Sequence, residues 1–289
     1  MPVVEPVIRP PSEADSFLLQ LTLGCSADTC TFCGAYKNKP FRVKDPGEVF
    51  ADIDRHARRY PDTRRVFLMD GDALALPNNK IIPVLKKLEQ SFPKLSRVSS
   101  YANGTNISRK TEEDLAELYR HKLTLVYMGL ESGSQAILDR CKKISRVDEM
   151  VNAVNRAALK NIKSSVIVLI GLGGKKYSRE HVQGTITALN RMQPRYLSFL
   201  SLMLIPGTPL AGEARKGEFQ ELDTLELLKE SYAIIEGLEL RKTIFRSDHA
   251  SNHLPLEGVL PKDKAVLLEV LRSAIDGRVP LKPEIFRGL

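Results

Sequence analysis

SSVIVLIGLGG, residues 164–174, carries five consecutive aliphatic side chains between a serine pair and a glycine-rich end. A run with no polar alternation fits a strand covered on both faces, because a half-exposed strand would place a polar residue at every second position. The same pattern recurs on both sides of it. Upstream lie FLLQLTLG (17–24), RRVFLMDGD (64–72), SRVSSYANG (96–104) and LTLVYMGLESG (123–133), and downstream RYLSFLSLMLIPGTPL (195–210). Between them come stretches with helical spacing: 46–59, opened by Asp45-Pro46, then 78–92, 108–122, 134–160 with a break near Ile144-Ser145-Arg146, and 178–192. Strands alternating with helices predict an α/β fold with a parallel sheet. Right-handed crossovers then bring every strand's C-terminal end to one edge, where ligands of such folds gather. Cys25, Asp70-Gly71-Asp72, Asn103-Gly104, Glu131-Ser132-Gly133, Gly171 and Pro206-Gly207 all fall just past a predicted strand.

Beyond Pro209 the pattern changes. Helices are predicted over 224–238 and 262–276, flanking an irregular centre, FRSDHASNHLPLEG (245–258). The expected organisation is therefore a sheet domain over 1–210 and a mainly helical C-terminal extension over 211–289, packed on it. The chain has 289 residues, 43% of them hydrophobic and 27% charged, which is ordinary for a globular protein. It contains no apolar run of the roughly 18 residues needed for a membrane span. Its start, MPVVEPVIRPPSEADS, lacks the basic and apolar regions of a secretory signal, so a cytoplasmic location with reduced thiols is expected. The formal charge of +8 is scattered in short groups such as Arg58-Arg59 and Lys142-Lys143. A solvated surface accounts for this, and nucleic-acid binding stays open without a feature that requires it.

Three of the four cysteines lie in GCSADTCTFC, residues 24–33. A structural zinc site wants four ligands, commonly in two pairs, and the second pair is absent here. Cys141, in DRCKK, has the setting of a buried structural thiol, although a histidine could complete a zinc tetrahedron. A [4Fe–4S] cluster held by three thiolates leaves one iron open to a small molecule. Gly24 and Gly34 bracket the cysteines, and the aromatic Phe32 directly precedes the third of them. GLGGKK (171–176) matches neither the spacing of a P-loop nor that of a dinucleotide fingerprint.

With these residues the chain resembles the radical S-adenosylmethionine (SAM) enzymes, in particular the branch with oxygen-independent coproporphyrinogen oxidases, methylthiotransferases and the elongator acetyltransferase subunit. The resemblance covers about residues 17–210. The family spacing has three and then two residues between the cysteines, whereas C-SADT-C-TF-C is one residue longer in the first gap. The resemblance implies a partial (β/α)6 TIM-like barrel, with Cys25, Cys30 and Cys33 as cluster ligands and S-adenosylmethionine bound at the open iron. It also implies reductive cleavage of S-adenosylmethionine to a 5′-deoxyadenosyl radical that abstracts a substrate hydrogen, with a flavodoxin or ferredoxin as electron donor.

Asp70-Gly71-Asp72 stands where the family has Gly-Gly-Glu, which implies that Asp72 meets the methionine ammonium and Gly71 lies beside it. By the same likeness GLESGS (129–134) brings Glu131 to the ligand's sugar or methionine part. Lys143 would meet its carboxylate, Phe32 and Ile170 would border the adenine, and Asn103 would belong to the same rim. The substrate is expected to be a small molecule or cofactor precursor, with transfer RNA, or a non-catalytic zinc or iron–sulfur protein, as alternatives. Four cysteines are too few for a second cluster of the kind auxiliary domains carry. In the extension, Asp248 and His249 are candidate catalytic groups beside Asn252 and His253, unless that loop is simply held by its own polar bonds. Tyr101 and Tyr127 share this ambiguity.

Overall fold

A computed structural model describes residues 3–288; Met1, Pro2 and Leu289, the outer ends of the lead and the tail, lie outside the described residues. Eight strands form one mostly parallel sheet in chain order. They are β1 Phe17–Gln20, β2 Arg65–Met69, β3 Arg97–Ala102, β4 Leu123–Glu131, β5 Lys163–Ile170, β6 Tyr196–Ser201, β7 Thr243–Arg246 and β8 Glu257–Leu260. The helices that matter below are α1 Pro46–Arg59, α2 Asn78–Ser91, α3 Gly104–Ser108, α4 Glu112–Arg120, α5 Gln135–Arg140, α6 Val147–Leu159, α7 Gly174–Met192, α8 Pro209–Arg215, α9 Thr224–Gly237 and α10 Lys264–Ile275. The six predicted strand regions are thus present, with crossovers long enough for parallel pairing.

The chain divides into two compact units. One comprises Ala35–Met128 and Ala153–Ser164 with the segment ending at Asp28; the other comprises Thr29–Gly34, Gly129–Asn152 and everything from Ser165 onward. In the first unit β1, β2 and β3 pair in parallel, with Leu19 opposite Leu68 and Phe67 opposite Ser99, and β3 pairs with β4. Val66, Phe67, Leu68 and Met69 are fully buried, as an unbroken apolar strand requires. In the second unit β5, β6 and β7 are parallel and β8 closes antiparallel on β7.

Three local signals act as the sequence suggests. Asp45 accepts the Gly47 amide at 2.8 Å to start α1. Thr111 with Asp114, and Asp223 with Glu226, form reciprocal capping boxes on α4 and α9.

Two expectations need correction. FLLQLTLG is not one strand: it breaks after Gln20, and Thr22–Leu23 turns away to pair antiparallel with Arg42–Val43. The cysteine loop thus begins and ends on its own short ladder. The irregular centre of the extension also contains β7 and β8, which lengthen the sheet. Both are four residues long, and their mixed burial and Gly258 hide the period-two pattern.

Helix α7 lies unusually close to the end of β4. A Cβ at Gly133 would come within 2.1 Å of the Gly184 carbonyl oxygen, and one at Gly184 within 2.6 Å of Gly133 backbone. Neither neighbour is a flexible side-chain tip, so backbone must move to admit a methyl group. Gly184→Ala is expected to destabilise the fold by about 1–3 kcal/mol, the range for overpacking, seen as a lower midpoint in thermal or denaturant unfolding. An unchanged midpoint would remove the close crossing from the account.

Candidate functional site

In the first unit the end of β2 presses on the first cysteine. Gly71 is at the contact: a Cβ there would lie 2.4 Å from the Cys25 Cβ, so only glycine lets the two backbones approach. The acids on either side of Gly71 are buried. Asp70 accepts the Gly24 amide at 3.0 Å and the Gln20 side-chain amide at 3.2 Å, and it pairs with the Lys39 ammonium at 2.7 Å. Lys39 is itself buried and also donates to the carbonyls of Val4 and Pro6. Asp72 accepts the Ser26 amide at 3.0 Å, the Ser26 hydroxyl, and the side-chain amides of Asn103 at 3.2 Å and Asn106 at 3.1 Å. Asn103 caps α3 through the Asn106 amide, so its orientation is determined from both ends.

The second unit contains Cys30, Cys33, Glu131 and Lys143. Glu131 ends β4 with φ +63°, a left-handed conformation that a glutamate adopts only at a cost of roughly 1–2 kcal/mol. Its carboxylate folds back over Gly129, where a Cβ would lie 2.0 Å from Oε1. Lys143 reaches it at 3.4 Å. Burial pushes the Cys30 thiol up from its ordinary pKa, while the nearby Lys143 ammonium pulls it down and Glu131 and Cys33 oppose that pull.

The TFC segment is anchored by backbone. The Thr31 amide donates to the Cys141 carbonyl at 2.9 Å, and the Leu210 amide donates to the Thr31 carbonyl at 3.0 Å. Phe32 packs on an apolar cluster of Ile137, Cys141, Leu172, Leu202, Leu210 and Phe219. Ile170 is buried, and its carbonyl accepts the Leu202 amide. Cys141 has its thiol raised to about 11 by burial, the expected state of an inert structural cysteine.

Behind the ends of β4 and β5 lies a buried polar group. Ser132 is 2.9 Å from His181 Nδ1, and His181 Nε2 is 3.6 Å from Glu230 on α9. Glu230 accepts the Gly171 amide at 2.6 Å and the Ser178 hydroxyl. Burial pushes His181 down to about 4 and Glu230 up to about 7, so between those values the pair is neutral rather than ionic.

The remaining candidates are held differently. Tyr101 and Tyr127 pack edge-on against Phe67, and Tyr127 donates to the buried Glu13 carboxylate at 2.6 Å. Asn252 joins Ser201, Phe199 and Ser247, and His253 Nδ1–H donates to the Lys282 carbonyl at 2.9 Å. Arg287 donates to the carbonyls of Ser251 and Leu202. Asp248 is exposed and His249 half-buried. His249 Nδ1 accepts the Ser251 amide, which leaves Nε2 to carry the proton in the neutral ring. Lys39, Asn106, His181 and Glu230 had no motif to mark them, whereas Asp70 lies in the Asp70-Gly71-Asp72 segment and Gly129 opens GLESGS.

Among the described residues no cysteine is in a disulfide, and no three metal-ligating side chains converge on a single ion position. A four-iron cluster does not demand such convergence, since each thiolate meets a different iron. Partly exposed thiols are the donors this group takes, and each unit supplies some: Cys25 with glycine at the tightest approach in the first, Cys30 and Cys33 with a cation beside Cys30 in the second.

A parallel α/β sheet carrying these groups past its strand ends defines a cofactor-dependent class of protein. The radical SAM superfamily model matches residues 19–189, more than half of the chain, and the chain belongs to that superfamily. Its fold is the partial TIM barrel of these enzymes, and its cofactors are a [4Fe–4S] cluster and S-adenosylmethionine. Similar solved structures include an N-terminally truncated Elp3 from Methanocaldococcus infernus, 14% identical with a TM-score of 0.56, covering 92% of this chain and 64% of that one. Coproporphyrinogen III oxidase (HemN) from Escherichia coli is 14% identical with a TM-score of 0.55, covering 76% and 52%. TsrM from Kitasatospora setae, a methyltransferase with cobalamin and a [4Fe–4S] cluster bound, is 16% identical with a TM-score of 0.56, covering 70% and 39%. This chain therefore spans less than two thirds of each, and at such identities the likeness establishes the fold. A search of curated proteins gave no match. No helix among the described residues is long and apolar enough to cross a membrane.

The Glu230 carboxyl generates a pH signature. Its pKa is raised from 4.5 to about 7 on folding, so its stabilising protonated form is complete below 4.5 and lost as pH rises toward 7. His181 has the opposite slope, losing stability as pH falls from 6.5 toward 4, and masks the effect in the parent chain. Glu230→Gln removes one slope and leaves the other. Its stability relative to the parent is expected to rise by up to about 3 kcal/mol between pH 4.5 and 7, measured by denaturant unfolding at each pH; a pH-independent difference would refute the buried neutral carboxyl.

Proposed function

We propose that this chain is a radical SAM enzyme in which Cys25, Cys30 and Cys33 hold the cluster, and that its substrate is a small molecule or cofactor precursor. The observation that carries the ligand assignment is the contrast among the four thiols. Three are partly exposed and lie in the loop past β1, whereas Cys141 is buried. When bound and reduced, the cluster supplies the electron that cleaves S-adenosylmethionine into methionine and a hydrogen-abstracting 5′-deoxyadenosyl radical.

The chain's own residues bind, orient and shield. Lys143 lies beside Cys30, where its charge favours the thiolate form, and together with Glu131 it offers a paired cation and carboxylate to the zwitterionic part of the ligand. The left-handed turn at Glu131 aims that carboxylate back over Gly129. Phe32 and Ile170 supply apolar surface for the adenine, and Asn103 and Gly71 shape the rim. Asp248 and His249 are the groups of the extension available for proton exchange with substrate, His249 through Nε2. Residues 1–210 form the cofactor-holding part and 211–289 the extension in this reading, and a flavodoxin or ferredoxin supplies the electron.

Anaerobic reconstitution of the full chain with iron and sulfide is expected to give a brown protein with about four irons, which on reduction releases 5′-deoxyadenosine from S-adenosylmethionine. Alanine at Cys25, Cys30 or Cys33 is expected to abolish iron uptake, and Cys141→Ala to preserve it. A colourless protein with one zinc would sink the enzyme reading, and loss of iron in Cys141→Ala alone would overturn the ligand set.

A further inference from the structure

The acids around Gly71 do something more specific than close a loop. A carboxylate has about four acceptor positions. Those of Asp72 face four donors from its own unit: the amide and hydroxyl of Ser26 and the side-chain amides of Asn103 and Asn106. Three of the four converge on Oδ2 and the residue is buried, so an ammonium group approaching that oxygen would have to displace a donor the fold already supplies. Asp70 is engaged in the same way by Gly24, Gln20 and Lys39. The two backbone amides that these carboxylates hold belong to Gly24 and Ser26, the residues on either side of Cys25. Between the two acids the Gly71 amide donates to the Gly24 carbonyl at 2.9 Å, and the Gly71 Cα faces the Cys25 side chain.

We propose that Asp70 and Asp72 are positioning residues for Cys25, a two-armed clamp on the backbone flanking one cluster ligand, and that Asp72 does not bind the methionine ammonium. The proposal rests on the three-cysteine reading above. Each arm has its own support. Asp70 is oriented by Lys39 and Gln20, and Asp72 by Asn103 and Asn106, so neither carboxylate can rotate away without leaving buried donors unpaired. Fixing both amides limits the directions in which the Cys25 Sγ can point. This is the role that hydrogen-bonded outer groups play at protein metal sites, where their loss typically weakens metal binding by about 10–100-fold.

The test uses the full chain, reconstituted anaerobically, with two readouts: the rate of iron loss to an excess of a ferrous chelator, and the affinity of the cluster-loaded fraction for S-adenosylmethionine by equilibrium dialysis. Asp72→Asn has one acceptor where four donors converge, and is expected to lose iron about tenfold faster with its S-adenosylmethionine affinity unchanged. Ser26→Ala, at an exposed position, removes only the hydroxyl donor and gives a smaller acceleration that covers the case of a poorly folding Asp72→Asn. The double variant is expected to be no worse than Asp72→Asn alone, because both act through one contact. Hydrogen exchange on the apoprotein supplies a cluster-free readout: the Ser26 amide loses protection in Asp72→Asn, and the Gly24 amide in Asp70→Asn. Parent-like iron retention in Asp72→Asn, or an intact cluster with lost S-adenosylmethionine affinity, would overturn the clamp. Failure of the parent chain to take up iron is a separate result that sinks the cluster reading itself.

Discussion

Parallel strands cannot be joined by a tight turn, so each pairing in this sheet requires a crossover that returns the chain to the starting edge. Helices fill those crossovers, and their apolar faces cover the strands from outside. The result is that Asp70-Gly71-Asp72, Asn103, Glu131 and Gly171 all occur at or immediately beyond a strand end, where backbone is released from the ladder and can turn. Strand interiors are mostly apolar and buried, although β3 keeps Ser99 and Ser100 inside; the strand ends carry most of the charged groups. Three of these end positions, Asp70, Glu131 and Gly171, adopt positive φ. Backbone that departs from extended geometry at the end of a buried strand marks both units of the chain.

Burial decides what the polar groups at these ends can do. Asp70 and Asp72 are fully enclosed and tolerated because amides and a lysine meet every oxygen, as buried charge requires. Glu230 and His181 are equally enclosed but meet fewer donors, and they shed charge instead. The first arrangement makes a fixed carboxylate, the second a neutral pair that braces Gly171 from α9 and Ser132 from α7. Glu131 and Lys143 are different again: both retain some exposure, at 15% and 12%, and so remain available to a ligand.

Much of this could be read from residue patterns. The strand at 164–170 is plain because five aliphatic residues admit no other period, and the cysteine spacing carried the cofactor. The two short strands of the extension were not legible, since each is only four residues long and EGVL buries Leu260 alone. The break at Leu21 was hidden because burial continues across it, with the polar Gln20 and Thr22 on either side as enclosed as the leucines. Lys39 looks like a surface residue between Asn38 and Pro40, and its burial depends on Asp70, thirty-one positions away. The role of Asp72 could be narrowed only when its donors were visible, because a sequence shows an acid and not what already surrounds it.

The left-handed backbone at Asp70 restricts which substitutions the position can accept. Glycine adopts such a conformation freely, asparagine and aspartate more readily than other residues. Of these three, only aspartate neutralises the buried Lys39 ammonium, and glycine would leave that charge facing the carbonyls of Val4 and Pro6 alone. Positions 39 and 70 are therefore coupled: glycine at 70 leaves a buried unneutralised charge unless the lysine at 39 is replaced with it.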